Sequence, residues 1–229
     1  MIDVAMIPTD LRPADVAVVI DVLRATSTAT QALAAGYERL LCVDSVERAL
    51  TLAGPGRVLA GERECVAPPG FDQGNSPADA RYRHGTEFVL ATTNGAPATV
   101  AAAALCPRVL QACLLNLDAV VALLDPLGGL VQIVCSGTNG AVALEDVYVA
   151  GRISARLPGP RTDAALVAEA VARAFPTALE ALSACTDAEA LRQAQLSADI
   201  ADCARESELT AVPVVVATDP GVAVLALER

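Results

Sequence analysis

The amino-acid sequence predicts an α/β fold with a largely parallel or mixed sheet, arranged as one domain over residues 1–229 or as two small lobes. Short apolar runs rich in β-branched residues alternate with segments rich in Ala and Leu, as strands alternate with helices. Hydrophobic residues make up 54% of the chain but aromatic residues only 3%, so small and branched side chains must form the core. A chain of this length can bury roughly 70% of its unfolded surface.

The first predicted strand lies at residues 15–22, an apolar run typical of strands that are covered on both faces. Residues 25–36 follow as a predicted helix that ends at Gly36. The other predicted strands lie within residues 40–44, 57–62, 87–96, 130–141, 212–218 and 222–227.

Residues 61–80 interrupt this alternation with a Gly- and Pro-rich segment that has no periodicity. The segment is longer than most connections inside a compact domain. Val66 and Phe71 make it too apolar for a solvated linker, so we expect it to contribute to a functional site. Ser76 and Pro77 have the order of an N-cap and the first residue of a short helix.

Beyond Pro160 the chain contains three helix-like segments, at residues 162–175, 176–185 and 186–195. None of them follows a predicted strand directly. We therefore expect the last quarter of the chain to have a structural role.

Charge and composition exclude several classes of protein. The net charge of −11 argues against a nucleic acid partner, because proteins that bind phosphate backbones concentrate Lys and Arg. No apolar stretch reaches the roughly 18 residues of a membrane span, and the first residues do not resemble a signal peptide. The seven cysteines include no CxxC pair, and Cys42, Cys113 and Cys135 are expected to be buried thiols. We therefore expect a cytoplasmic protein. Because α/β proteins of this size often dimerise, we also expect a homodimer.

Polar side chains follow the predicted strands where each strand ends. Ligands of open α/β sheets bind outside the carboxyl ends of the strands, because helix N-termini there present unpaired N–H groups. One cleft is therefore expected to gather Asp21, Arg24, Glu62, Arg63, Thr93, Asn94, Ser136, Thr138 and Asn139.

Arg24 and Arg63 in this set suit a small anionic, phosphorylated ligand. Each follows an apolar strand directly, and an arginine can donate charge-assisted hydrogen bonds to a phosphate or a sulfonate. The alternative for both is an ordinary surface salt bridge.

Carboxylates near the same strand ends suit Mg²⁺, which prefers one or two carboxylates together with water and substrate oxygens. The candidate ligands are Asp21, Glu62, Glu145 and Asp146. Asp21 is the strongest candidate, because a charge at the end of an apolar strand needs a partner. The alternative for Glu145 and Asp146 is the first turn of a helix, where carboxylates interact favourably with the helix dipole.

The tetrapeptide Thr-Asn-Gly-Ala occurs twice, at residues 93–96 and 138–141, and predicts two equivalent strand-to-helix corners. Their glycines would let the backbone approach an anion closely. Other phosphate chemistries lack their motifs: GxxxxGK[ST] and GxGxxG are absent, and Ala141 stands where a cysteine phosphatase built on Cys135 would need Arg. The single histidine, His84, lies in a polar turn and is expected to be solvated.

Together these segments resemble the 2-phosphosulfolactate phosphatase family. The matching blocks are VVIDVLRATST (18–28), GERECVAPPGFDQGNSP (61–77), ATTNGA (91–96), LLNLDAV (114–120), VCSGTNGAVALEDVYVAG (134–151), DIADC (199–203) and VPV (212–214). They cover the chain in order. One departure is local, since Glu64 and Cys65 follow GER where that family usually has small, glycine-rich residues.

The resemblance implies a single three-layer α/β/α domain and a Mg²⁺-dependent phosphoric monoester hydrolase. The implied reaction converts 2-phospho-3-sulfolactate to 3-sulfolactate and phosphate, on a route toward coenzyme M. We assign catalysis to Asp21, Arg24, Glu62 and Arg63, substrate binding to Asn75, Ser76, Thr93, Asn94, Gly95, Ser136, Gly137 and Asn139, and the metal to Asp21, Glu62, Glu145 and Asp146.

Two alternatives remain open at this point. The substrate could be another small phosphorylated carboxylic acid, since membership of a family does not fix the substrate. The same cleft could also belong to a non-catalytic sensor of a phosphorylated or sulfonated metabolite. Binding alone needs arginines and amides but not carboxylates, so the richness in Asp and Glu favours an enzyme.

Overall fold

The computed structural model describes residues 1–228, which contain nine strands and ten α-helices. The strands are β1 (Ile2–Ala5), β2 (Val16–Ile20), β3 (Arg39–Val43), β4 (Arg57–Gly61), β5 (Glu87–Ala91), β6 (Val109–Ala112), β7 (Val131–Cys135), β8 (Pro213–Asp219) and β9 (Val222–Leu227). The helices are α1 (Ala25–Ala34), α2 (Val46–Thr51), α3 (Pro77–Ala80), α4 (Gly95–Leu105), α5 (Leu117–Leu124), α6 (Leu144–Ser154), α7 (Asp163–Ala174), α8 (Ala178–Ser183), α9 (Thr186–Gln193) and α10 (Ser197–Cys203).

All nine strands form one mixed sheet in the order β1-β7-β2-β6-β8-β9-β3-β5-β4. Two blocks are internally parallel, β1-β7-β2-β6 and β3-β5-β4. The hairpin β8–β9 lies between them and pairs antiparallel on both sides. Three antiparallel pairings separate the blocks, so the strands of one block run opposite to those of the other.

Helices cover both faces of the sheet, which confirms the predicted three-layer α/β/α architecture. On the first block, α5 to α10 share a large core with one face, and α4 packs on the other. On the second block, α1 packs on one face and α2 on the other. The residues of β1 to β7 are buried nearly throughout, which explains why most of these strands are continuous apolar runs, whereas β8 is exposed beyond its first three residues.

The predicted strands are all present, but β1 and β6 escaped the sequence analysis. Each is four residues long and carries a polar side chain, Asp3 or Gln111, inside the apolar run. Both side chains are buried and hydrogen-bonded: Gln132 donates to Asp3 at 2.8 Å, and Gln111 donates to the Thr99 hydroxyl at 2.9 Å. Buried polar groups that are satisfied in this way cannot be distinguished from turn residues by pattern alone.

Candidate active site

A cleft of about 780 Å³ opens where the carboxyl ends of strands from both blocks meet. Among the predicted site residues, those that line it are Asp21, Arg24, Glu62, Arg63, Asn75, Thr93, Asn94 and Asn139. The others do not line it: Ser76, Gly95, Ser136, Gly137, Glu145 and Asp146. Thr138 also lines the cleft, so the expected gathering of strand ends holds for eight of its nine positions, all except Ser136, although the two blocks run in opposite directions.

Asp21 follows β2 and lies between the first turns of α1 and α4. The Ala25 amide donates to Asp21 Oδ1 at 3.0 Å. Gly95 opens α4 so close to this carboxylate that a Cβ there would come within 2.6 Å of Asp21 Oδ2. Glycine is therefore required at Gly95 by close approach and not by a positive φ.

The Asp21 carboxylate is buried, with an exposed fraction of 8%. Burial, together with the charges of Glu62 and Asp187, raises its pKa to about 7, although hydrogen bonds from the amides of Ala25 and Gly95 act to lower it. No arginine among residues 1–228 forms an ion pair with it. An aspartate in this position is either protonated near neutral pH or in need of a cation.

Glu62 joins the ends of β4 and β5. Its Oε1 accepts from the Thr93 amide at 2.8 Å, and its Oε2 accepts from the Cys65 amide at 3.2 Å. The second bond holds the tip of a tight turn in which Glu64 and Cys65 both have positive φ, 52° and 67°. Residues other than glycine rarely adopt a positive φ. Glu64 and Cys65, the two positions at which the sequence departs from the family pattern, therefore form a strained turn in the cleft wall.

The two cleft arginines differ in their partners. Arg24 donates from Nη1 to Asp199 at 2.6 Å, and the side chains of this pair are only 3% and 5% exposed. The pair is therefore buried and not a surface salt bridge. Arg63 is the only arginine among residues 1–228 that forms no ion pair, and its Nη1 donates to the Glu62 carbonyl at 2.7 Å.

Glu145 and Asp146 lie in the first turn of α6, as one of the two interpretations expected, and both are buried. Asp146 accepts from the Val22 amide at 3.0 Å and from the Gly137 amide at 3.1 Å. Burial, with Asp21 and Glu145 nearby, raises the pKa of Asp146. Burial and the charge of Asp187 raise the pKa of Glu145 to about 8. These carboxylates thus belong to the electrostatic surroundings of Asp21 although they lie behind the cleft wall.

The two Thr-Asn-Gly-Ala segments are not equivalent corners, which corrects the prediction. The first passes directly from β5 into α4, whereas the second forms a turn closed by two 3.0 Å backbone hydrogen bonds between Thr138 and Ala141, before α6 begins at Leu144. Asn139 there has a φ of 52°. The segments nevertheless meet, because the Asn139 amide donates to Asn94 Oδ1 at 3.2 Å.

Two buried polar groups near the cleft lack protein partners. Asn75 is 3% exposed and lines the cleft, and no residue among 1–228 hydrogen-bonds to its Oδ1. The Ser136 hydroxyl, behind the cleft, is also unpartnered. Ser76 is the N-cap of α3 as predicted, but its hydroxyl donates to Asp199 at 2.8 Å. Buried polar atoms without partners are uncommon and mark places where a ligand or water can bind.

The last quarter of the chain supplies part of the site, which contradicts the expectation of a purely structural role. In α9, Asp187 lines the cleft and accepts from the Thr138 hydroxyl at 2.6 Å. Leu191 lines the cleft beside it. In α10, Asp199 binds both Arg24 and Ser76. The one signal in the sequence was the DIADC block at 199–203, which carried no assigned role.

Other expectations concern the surroundings of the site. Cys42, Cys113 and Cys135 are buried as predicted, and His84 is exposed. Within residues 1–228, no helix is long and apolar enough to cross a membrane. In the same range, no three His, Cys, Asp or Glu side chains converge into a ready-made metal-binding group. The four proposed metal ligands are therefore not assembled as one cluster.

Comparison with known proteins identifies the family. The family model described as 2-phosphosulpholactate phosphatase matches residues 2–218. The chain belongs to this family. A relative from Thermus thermophilus, named "Probable 2-phosphosulfolactate phosphatase", is 43% identical over 207 residues, which are 87% of each chain. Relatives of the same name from Thermotoga maritima and Deinococcus radiodurans are 37% and 38% identical, over 94% and 90% of this chain and 96% and 89% of their own.

These matches confirm the resemblance to the 2-phosphosulfolactate phosphatase family and the assignment to an enzyme family of phosphoric monoester hydrolases. The metal ion, the individual residue roles, the homodimer and the cytoplasmic location stay predictions.

Proposed function

We propose that this member of the 2-phosphosulfolactate phosphatase family hydrolyses 2-phospho-3-sulfolactate, or a closely related phosphorylated carboxylic acid, with the help of Mg²⁺. The family supports the reaction class, and the names of the relatives suggest the substrate. One observation carries the proposal: a single cleft combines Arg63, which has no carboxylate partner within residues 1–228, with the buried carboxylate of Asp21, which no arginine in that range neutralises. An anion and a cation would complement each other there.

The residues present fit a hard divalent cation. Asp21, Glu62, Glu145 and Asp146 offer only oxygen donors, as Mg²⁺ prefers. Burial and, after it, neighbouring carboxylate charges raise the pKa of Asp21 and Glu145, and a bound positive charge would favour the ionised forms of both. One or two carboxylates suffice when water and substrate supply the remaining oxygens. Asp21, with help from Glu62 or Asp146, would hold the ion.

When bound, Mg²⁺ supplies positive charge that stabilises negative charge on the phosphoryl oxygens. It would also offset the net negative charge of the cleft, where Arg24 is already neutralised by Asp199. Without such a charge, a dianionic phosphate would face Asp21, Glu62 and Asp187 together.

The protein groups divide the substrate between them. Arg24 and Asn94, the N-cap of α4, would donate hydrogen bonds to the phosphoryl group and stabilise the charge that develops on it. Arg63 and the Nδ2 donor of Asn75 would hold the sulfonate or the carboxylate, because both side chains can donate hydrogen bonds to an anion.

Two routes lead to phosphate from this arrangement. In one, Asp21 accepts a proton from the water that attacks phosphorus, the P–O ester bond breaks, and the hydroxy acid leaves with a proton. In the other, the Asp21 carboxylate attacks phosphorus, the P–O ester bond breaks and the hydroxy acid leaves with a proton from solvent. Water then hydrolyses the acyl phosphate, which releases phosphate and restores the Asp21 carboxylate. The steric course at a chiral phosphoryl group separates them, since one displacement inverts the configuration and two retain it.

Phosphate release from 2-phospho-3-sulfolactate tests the function, with phospholactate and phosphoglycerate as comparison substrates, in Mg²⁺ and again in EDTA. We expect release that prefers the sulfonated substrate, stops in EDTA and returns with excess Mg²⁺. Release from another acid alone would keep the reaction but change the substrate. Release that persists in EDTA would refute the metal. Binding of these acids without release from any would contradict the enzymatic function and support a sensor.

A further inference from the structure

Asp199 lies in α10, far along the chain from the strands that form the cleft, and has no role in the reaction proposed above. Its side chain is buried and accepts two hydrogen bonds. Arg24 Nη1 donates to Asp199 Oδ2 at 2.6 Å, and the Ser76 hydroxyl donates to Asp199 Oδ1 at 2.8 Å. One carboxylate therefore connects the β2–α1 corner with the end of the 61–80 segment.

This connection fixes the direction of the Arg24 guanidinium. A guanidinium has five N–H donors in a rigid plane. Asp199 takes one of them, and the Cys65 carbonyl takes a second, more weakly, at 3.5 Å. The remaining donors have no hydrogen-bond partner within residues 1–228, and Arg24 lines the cleft. Because the Arg24–Asp199 pair has no net charge, Arg24 contributes directed hydrogen bonds, whereas Arg63 contributes the net charge.

The hydrogen bond from the Ser76 hydroxyl to Asp199 holds another part of the cleft wall, the end of the 61–80 segment. Ser76 is the neighbour of Asn75, the buried cleft residue whose Oδ1 lacks a protein partner. The Asn75 backbone is held too, since the Thr28 hydroxyl donates to its carbonyl at 3.2 Å. Asp199 and α1 thus hold Asn75 and Ser76 from two sides.

We propose that Asp199 is a positioning residue, which aims Arg24 and the Asn75–Ser76 segment at the anionic groups of the substrate without touching the substrate itself. The inference rests on the proposed function for its meaning in catalysis. It extends the site to α10, which the strand-end argument could not reach.

The fold contains a matched control for this arrangement. Glu169 in α7 also accepts from one arginine and one serine: Arg161 Nε donates at 3.0 Å and the Ser154 hydroxyl at 2.8 Å. None of these three residues lines the cleft. Glu169→Gln therefore makes the same chemical change to the same type of trio at a site without a substrate.

A double-mutant cycle tests the inference with the full chain. We expect Asp199→Asn to lower kcat by roughly 100-fold, with a smaller change in KM. The reason is that the Arg24 guanidinium, no longer held in position, loses contacts with the transition state. In an Arg24→Gln background the same change should lower kcat by less than about threefold, because the residue acts through Arg24. Glu169→Gln should leave both constants unchanged. A loss of the same size in both backgrounds would mean a merely structural role and would overturn the inference.

A second readout keeps the inference separate from the proposed function. Calorimetric titration with inorganic phosphate, the product of any phosphatase, is performed on the same variants. If the wild type turns over no substrate, the function fails, and the inference is then decided by whether Asp199→Asn weakens phosphate binding only when Arg24 is present. Absence of both turnover and phosphate binding refutes both. If Asp199→Asn does not fold, Ser76→Ala replaces it in the cycle, with a smaller non-additive loss expected and an additive loss contradicting the inference.

Discussion

Buried carboxylates occupy two regions of this molecule in opposite electrostatic conditions. Beside the edge strand β1, Asp3 is paired with Arg12 at 2.8 Å and Glu169 with Arg161 at 3.0 Å. Burial by itself would raise the pKa of Asp3. Hydrogen bonds from Thr162 and Gln132 and the charge of Arg12 outweigh it, so the pKa of Asp3 is lowered. In the cleft, burial raises the pKa of Asp21 to about 7, and no arginine pairs with it.

The difference shows where the fold is optimised for stability and where it is not. A paired and hydrogen-bonded carboxylate stabilises the native state, whereas a buried one surrounded by like charges destabilises it. Such uncompensated groups are typical of sites that bind a ligand or do chemistry. The β1 region therefore serves as a reference for the cleft, and substitutions made in pairs can test the contrast.

Asp21→Asn should have the largest effect, a loss of about 10³-fold or more in kcat on the substrate identified by the phosphate-release assay. The expected cause is the loss of the carboxylate that lies between the first turns of α1 and α4. The matched control is Asp3→Asn, the same chemical change at a paired aspartate outside the cleft, which should leave kcat unchanged. Near-normal turnover by the Asp21 variant would remove this residue from the mechanism.

Arg63→Met should raise KM by about 10- to 100-fold, because a charge-assisted hydrogen bond to the sulfonate or carboxylate is lost. Its melting temperature should change little, since Arg63 has no ion pair to lose within residues 1–228. Arg12→Met reverses the pattern: it breaks the pair with Asp3 and should lower the melting temperature while KM stays constant. An unchanged KM in the Arg63 variant would place the acidic end of the substrate elsewhere.

The pH dependence of stability should have opposite signs at the two aspartates when Mg²⁺ is absent. The folded pKa of Asp21 is about 7 against an ordinary value of 3.8, so the folded state holds a proton that the unfolded chain releases in this window. The contribution of Asp21 therefore becomes more unfavourable as pH rises from about 4 to about 7. The folded pKa of Asp3 is lowered, so its contribution is favourable above pH 4 and is lost as pH falls further.

Melting temperatures of the wild type, Asp21→Asn and Asp3→Asn, measured without Mg²⁺ between pH 3 and pH 8, check these signs. At pH 8, Asp21→Asn should melt above the wild type by about 3 °C or more, and Asp3→Asn below it by a similar amount. Both differences should shrink toward acidic pH. A stabilising effect of the Asp21 change that is constant with pH would mean that packing, and not charge, causes it.

The sequence predicted the position of a candidate functional residue wherever that residue follows a strand directly. Asp21, Glu62 and Thr93 come one or two residues after their strands, so the geometry of a parallel block determines where they lie. Even the opposite direction of the two blocks did not separate them, because α1 and α4 begin against each other at Ala25 and Gly95.

The sequence did not predict the cleft residues that lie on helices, and the reason is physical. Asp187 and Asp199 lie on short helices whose orientation depends on packing between distant segments, and no periodicity marks which side faces the cleft. The equivalence of the two Thr-Asn-Gly-Ala segments was wrong for a similar reason. Identical residues formed a helix start in one place and a closed turn in the other, because the next residues along the chain differ between the two segments.

The hairpin β8–β9 determines the order in which this site can be completed during synthesis. It forms the centre of the sheet, yet it consists of residues 213–227, and the two parallel blocks share no backbone ladder without it. The cleft draws walls from both blocks. We therefore expect the sheet that carries the cleft to become continuous only after these residues have left the ribosome, and the strand edges that the hairpin pairs to stay open until then.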